Sequence, residues 1–74
     1  MKIYVSLISS LSVGRFESEM REYPEIINVR QIVEDLGILE KDVGVVLINK
    51  KHASFEDSLN EGDTLLLLPL LDGG

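Results

Sequence analysis

The chain has no cysteine and no tryptophan among its 74 residues, and only one histidine, two tyrosines and two phenylalanines. Without cysteine there is no disulfide to staple a small domain, no thiolate nucleophile and no soft metal ligand. A reducing, cytoplasmic setting is expected. With His52 as the sole imidazole, a zinc site would have to be completed by carboxylates alone, so no metal is expected. Glu56, Asp57, Glu61 and Asp63 lack the spacing of a calcium-binding loop and read as turn residues. Gly14-Arg15 lacks the glycine spacing of a phosphate loop. Basic residues are also scarce: 7 against 13 acids, for a net charge of −6. Such a chain is repelled by phosphate backbones, which argues against a nucleic-acid partner. The excess acid reads either as solubility or as complementarity to a basic partner. No long hydrophobic run is present. The longest, residues 65–71, is broken by Pro69 and falls far short of the roughly 18 residues that cross a bilayer. The opening residues carry one basic group and an apolar run broken by Ser6, too short and too alternating for a signal peptide. No membrane partner is expected.

At this length the chain makes one domain. Chains this small bury only about 60% of the surface their unfolded state exposes. That leaves little room for an enclosed catalytic pocket, and no apolar cleft that would shift paired carboxylates into acid–base work. No catalytic residue is assigned, and the site is expected to be a surface or a tail.

Ile3, Val5 and Leu7 alternate with Tyr4 and Ser6, the period of a strand. Ser9, Ser10, Ser12 and Gly14 mark a turn, and residues 16–23 read as a second strand paired with the first and ended by Pro24. Asn28 followed by Gln31 forms a capping-box pattern. Val29, Ile32, Val33 and Leu36 then make one apolar helical stripe, and Gly37 closes the helix. The β-prone run at Val43, Val45, Val46, Leu47 and Ile48 suggests a central strand buried on both faces. Asn49, Lys50 and Lys51 form a turn, and residues 52–55 a short strand. Asn60, Glu61, Gly62 and Asp63 turn again, and residues 64–68 form the last strand, ended by Pro69. The order implies an α+β fold, a mixed four- to five-stranded sheet packed on one main helix. Residues 1–69 are the expected domain and residues 70–74 a mobile tail.

The chain ends on Gly73 and Gly74. Glycine averages about 7% of residues, so a chance pair at one chosen place occurs at about 0.5%. That rarity gives a chemical reading weight. A terminal carboxylate can be activated by ATP as an acyl-adenylate, and residues lacking Cβ let the backbone enter a narrow site. Five residues follow Pro69, and an extended chain of that length reaches roughly 16 Å. Leu70 and Leu71 either tuck onto the domain's own core or anchor in a partner's groove.

The residues from 47 to 74 resemble the C-terminal half of the small subunit of molybdopterin synthase, and are similar to the thiamine-pathway sulfur carrier. The features that carry the likeness are Asn49, Phe55, Leu59, Gly62-Asp63, Leu65 to Leu68, Pro69 and Gly73-Gly74, together with the helix and Gly37. The chain thus resembles the MoaD/ThiS-like sulfur-carrier family, weakly over residues 8–23. It departs from the family pattern where Leu70 replaces a second proline, where Asp72 replaces a small residue, and in a shorter connection after the first strand. The resemblance implies a β-grasp, ubiquitin-like fold and a non-enzymatic sulfur carrier with no bound cofactor. By this likeness, a partner resembling ubiquitin-activating enzyme uses ATP to adenylate Gly74, which then becomes a thiocarboxylate. Gly73 gives access, and Pro69, Leu70, Leu71 and Asp72 bind the partner. The sulfur-accepting partner implied is an enzyme such as the large subunit of molybdopterin synthase. Two other functions share the chemistry: a protein modifier conjugated through Gly74 to lysines, and a carrier for thiamine synthesis or tRNA thiolation.

Overall fold

In the computed structural model, which describes residues 1–70, the alternating start of the chain forms β1, Lys2–Leu7, with Ile3, Val5 and Leu7 buried. The serine-rich segment winds into a short 3-10 turn, Ser9–Ser12, and Gly14 takes a φ of +73°. The chain returns as β2, Ser18–Glu22, antiparallel to β1. This strand is shorter than residues 16–23. Phe16 packs against the core before the strand begins. β2 is an outer strand with four of its five residues exposed, so burial imposes no clean alternation on its sequence.

The helix α1, Val29–Asp35, has only seven residues. That is well below the roughly 12–15 needed for marginal stability in water, so both ends are held by the rest of the molecule. At the start, Asn28 Oδ1 accepts from the Gln31 N–H at 2.9 Å and Gln31 Oε1 accepts from the Asn28 N–H at 2.9 Å, closing the expected capping box. The N–H groups of Val29 and Arg30 donate to the carbonyls of Asp57 and Phe55, each at 3.0 Å. At the far end Gly37, with φ +71°, donates to the Glu34 carbonyl, and Ile38 donates to the Val33 carbonyl. This paired closure needs a left-handed residue. The Arg15 guanidinium adds hydrogen bonds to the carbonyls of Leu36 and Gly37 at 2.9 and 3.0 Å, a cation where the helix dipole is negative.

After a 3-10 turn at Glu40–Asp42 come β3, Val43–Ile48, β4, Lys51–His52, and β5, Thr64–Pro69. The sheet order is β2-β1-β5-β3-β4, with β1 and β5 parallel and the other pairs antiparallel. The central strand is therefore β5 and not the run at residues 43–48. Nor is β3 buried on both faces: Val43 and Val46 are buried, while Gly44 is exposed and Val45 half-buried. Among the described residues a single α-helix covers one sheet face, and no second helix covers the other apolar row of β3. The hairpin from β3 to β4 also differs from expectation. Asn49 and Lys50 both take positive φ, 51° and 70°, as a tight two-residue hairpin requires. Lys51 thus lies in the strand, and residues 53–55 leave it.

Asn49 also ties that hairpin to the last strand. Its Oδ1 accepts from the Thr64 N–H at 3.0 Å and its Nδ2 donates to Asp63 Oδ1 at 2.9 Å. Asp63 Oδ2 in turn accepts from the Asn60 N–H at 2.8 Å, around the Gly62 turn.

Val29, Ile32 and Val33 join Ile3, Val5, Leu7, Val46, Leu65 and Leu67 in one buried cluster, with Leu36 packed at its margin. One helix grasped by a mixed five-stranded sheet is the expected β-grasp layout. Ile32, wholly buried, carries the helix's hold on the sheet. Ile32→Ala should lower stability in urea melts by about 2–5 kcal/mol, whereas Leu36→Ala, half-exposed, should cost visibly less. Equal losses would show that the helix packs through a different face.

Candidate functional site: the root of the tail

Of the residues assigned to the tail site, Pro69 and Leu70 can be placed; Leu71, Asp72, Gly73 and Gly74 lie outside the described residues. Pro69 does not stop the strand ahead of itself. It is the last residue of β5, in register with Val43 of β3. A strand end tolerates a residue without an N–H. One hydrogen bond continues beyond it: the Leu70 N–H donates to the Asp42 carbonyl at 2.8 Å.

Leu70 is 63% exposed, so it does not tuck into the core. It stands between two open grooves. One is lined by Leu11, Arg15, Ile38, Leu39 and Lys41, the other by Ile8, Val45 and Leu68. Ile8 and Leu39 are themselves exposed large apolar residues. Pro69 and Leu70 thus lie at the end of the sheet's middle strand, in an apolar neighbourhood with Lys41 on its rim. Sequence reasoning missed Gly44, which lines the second groove beside Pro69 and Leu70. Its signal was a lone glycine inside a β-prone run, a mark of a bulge or a close backbone approach. The β3–β5 register does shift between Val43 and Val45.

Among the described residues the perturbed titrating groups belong to other parts of the surface. Arg30 donates to Glu40 Oε2 at 3.0 Å and Glu56 Oε1 at 2.9 Å, with its guanidinium 5.6 Å from the Phe55 ring centre. The hydrogen bond from Arg30 holds the Glu56 carboxyl below the usual glutamate range. Burial pushes the Tyr23 phenol up, against the opposing hydrogen bond from Arg21. Among the described residues no three His, Asp or Glu side chains gather as a metal site, and no buried side-chain polar atom lacks a partner.

The sequence matches the ThiS family over residues 12–74. Three solved structures share the fold. A Pyrococcus furiosus protein, provisionally described as subunit 1 of molybdopterin converting factor, is 22% identical, with 96% of this chain and 99% of that one covered and a TM-score of 0.78. The small archaeal modifier protein 1 of Haloferax volcanii is 18% identical, with coverage of 95% and 98% and a TM-score of 0.75. A complex of subunits 1 and 2 of molybdopterin-converting factor from Helicobacter pylori holds a chain 19% identical, with both chains fully covered and a TM-score of 0.65. No curated protein matches significantly by sequence.

Two outcomes are expected. Leu70→Asp should leave urea stability within about 0.5 kcal/mol, as an exposed substitution does; a large loss would show that Leu70 serves the core in solution. Glu56 should titrate below an ordinary glutamate in a carbon-detected carboxyl titration, and Arg30→Gln should return it upward. Its folded pKa is lowered, so the pair's stabilisation is present above the unfolded value and lost as pH falls through the folded one. An unshifted Glu56 would show that the pair is not held in solution.

Proposed function

The chain belongs to the ThiS family of small ubiquitin-like sulfur carriers, and from that premise we propose that Gly74 carries sulfur as a thiocarboxylate, in the synthesis of molybdopterin. An activating enzyme brings ATP to the tail. A Gly74 carboxylate oxygen attacks the α-phosphorus, pyrophosphate leaves, and an acyl-adenylate results. A hydrosulfide-equivalent nucleophile then adds to the acyl carbon and displaces AMP. The thiocarboxylate sulfur adds to an electrophilic unsaturated carbon of the substrate held by a second enzyme, opening its π bond, whose other atom takes a proton, and water cleaves the acyl–sulfur bond to return the carboxylate and leave the sulfur on the substrate. This chain is the co-substrate throughout, and the two enzymes supply the catalysis. Gly73 admits the tail to both active sites, and Leu70, Leu71 and Asp72 dock beside them. The activating enzyme is of the ubiquitin-activating kind. The acceptor is a large subunit like the partner in the Helicobacter pylori complex. The setting proposed is the cytoplasm.

The observation that carries this reading is that the family match runs through Gly73-Gly74, beyond a last strand lying at the centre of the sheet. Such a strand is paired along both edges and holds the root of the tail to the fold. The nearest rival is conjugation of Gly74 to target lysines, which shares the adenylate.

Intact mass of the protein from its native cell separates the two. A carrier shows a species heavier by the difference between one sulfur and one oxygen, whereas a modifier appears as a ladder of adducts. ATP–pyrophosphate exchange with the activating enzyme tests the shared step. Deleting Gly74 or adding an alanine after it should reduce exchange by about 10²-fold or more, as misplacement near 1 Å can do, with unchanged thermal stability. Full exchange by both variants would remove the carboxylate of Gly74 from its role.

A further inference from the structure

Three glycines, Gly14, Gly37 and Gly62, have positive φ and open space where a Cβ would stand. They serve backbone conformation. Gly44 is the reverse. Its φ lies outside the left-handed region, so any residue could adopt its backbone, yet a Cβ there has no room. It would lie 2.7 Å from Leu70 Cα, 2.8 Å from the Pro69 carbonyl oxygen and 3.0 Å from the Leu70 nitrogen. All three are backbone atoms of the tail root, and no flexible side chain can yield in their place. Gly44 is exposed, so neither burial nor conformation explains a glycine. What it does is let the root of the tail lie across β3.

We propose that Gly44 is the positioning residue that sets the direction in which the tail leaves the domain, and so the aim of Gly74 at the activating enzyme. The inference rests on the carrier reading above. The side that moves can be identified. β3 is held by Val43 and Val46, both buried, and by pairing with β5. Leu70 is largely exposed and its backbone is pinned by one hydrogen bond, to the Asp42 carbonyl. Carbon atoms rest at about 3.5–4.0 Å, so a methyl group on residue 44 displaces the tail root by about 1 Å and strains that bond. The domain's surface is otherwise unchanged, so docking persists while the carboxylate arrives misplaced.

The test is Gly44→Ala and Gly44→Val in the full chain, with Ile26→Ala, an exposed residue that lines neither groove, as the control. Hydrogen exchange at the Leu70 amide reads the root directly. It should be slow in the native chain and in Ile26→Ala, and at least 10-fold faster in both Gly44 variants. In ATP–pyrophosphate exchange kcat should fall by about 10- to 100-fold for Gly44→Ala, a misplacement effect, and further for Gly44→Val, with KM within about twofold. A variant damaged only in its fold would lose activity in parallel with its native fraction in urea and thermal melts, and that result overturns the proposal. A native chain charged normally beside a Gly44→Ala chain charged equally well overturns it too, while leaving the carrier reading standing. A native chain that its activating enzyme does not charge overturns both.

Discussion

The parallel pairing of β1 with β5 is the constraint on which the rest depends. It joins the first strand of the chain to the last, with Val5 beside Leu65 and Leu7 beside Leu67, and all four are buried. Neither strand can be withdrawn without opening the core. A hairpin could not make this contact, because parallel neighbours need a long crossover. Here the crossover is everything between, including α1 and the β3–β4 hairpin. The outcome is that the last strand has a hydrogen-bonded neighbour on each side. A domain this small cannot spare its last strand from the core, and placing that strand in the middle pairs it on both edges.

The helix shows how a short chain meets its polar obligations without length. Seven residues leave most of their backbone groups at one end or the other. The loop of residues 54–59 supplies carbonyls to the first turn, and the segment after β1 supplies Arg15 to the last. Both are loops that the sheet topology brings alongside. The helix is thus stable only within the assembled domain, and its caps double as the fastenings of two loops.

This division explains what could be read in the sequence. The capping box at Asn28 and Gln31, the left-handed Gly37 and Gly62, and the buried rows of β1 and α1 were legible because each follows from local chemistry or from one face of burial. The strand at residues 43–48 was legible as a strand but not as a place in the sheet. β3 and β5 are both apolar runs, and which one sits centrally is fixed by pairing across the whole chain. β4 was read at residues 52–55 instead of 51–52 because the positive φ of Lys50 is not announced by its side chain. Phe16 was drawn into β2 because an aromatic at a strand end and an aromatic plugging the core have the same sequence. At the site, Pro69 and the glycine pair stood out by composition. Gly44 did not, since its importance lies in a neighbour 25 residues further on in the chain.

Why the ladder stops where it does follows from the two strands flanking β5. Beside its C-terminal end, β1 gives one last bond, from the Ile8 N–H to the Leu67 carbonyl, and then turns away at Ser9, whose φ is +52°. On the other side β3 begins at Val43, and the residues before it are wound into the 3-10 turn Glu40–Asp42. The Asp42 carbonyl takes the Leu70 N–H, and neither neighbour offers strand backbone past that point. Pro69, lacking an N–H, cannot itself donate to the ladder. The sheet runs out of partners on both sides of β5 within a residue of each other. A longer β1 or an earlier β3 would lengthen the pairing offered along the two edges of β5. The two 3-10 turns therefore end the pairing on both sides of β5 beside Pro69 and Leu70.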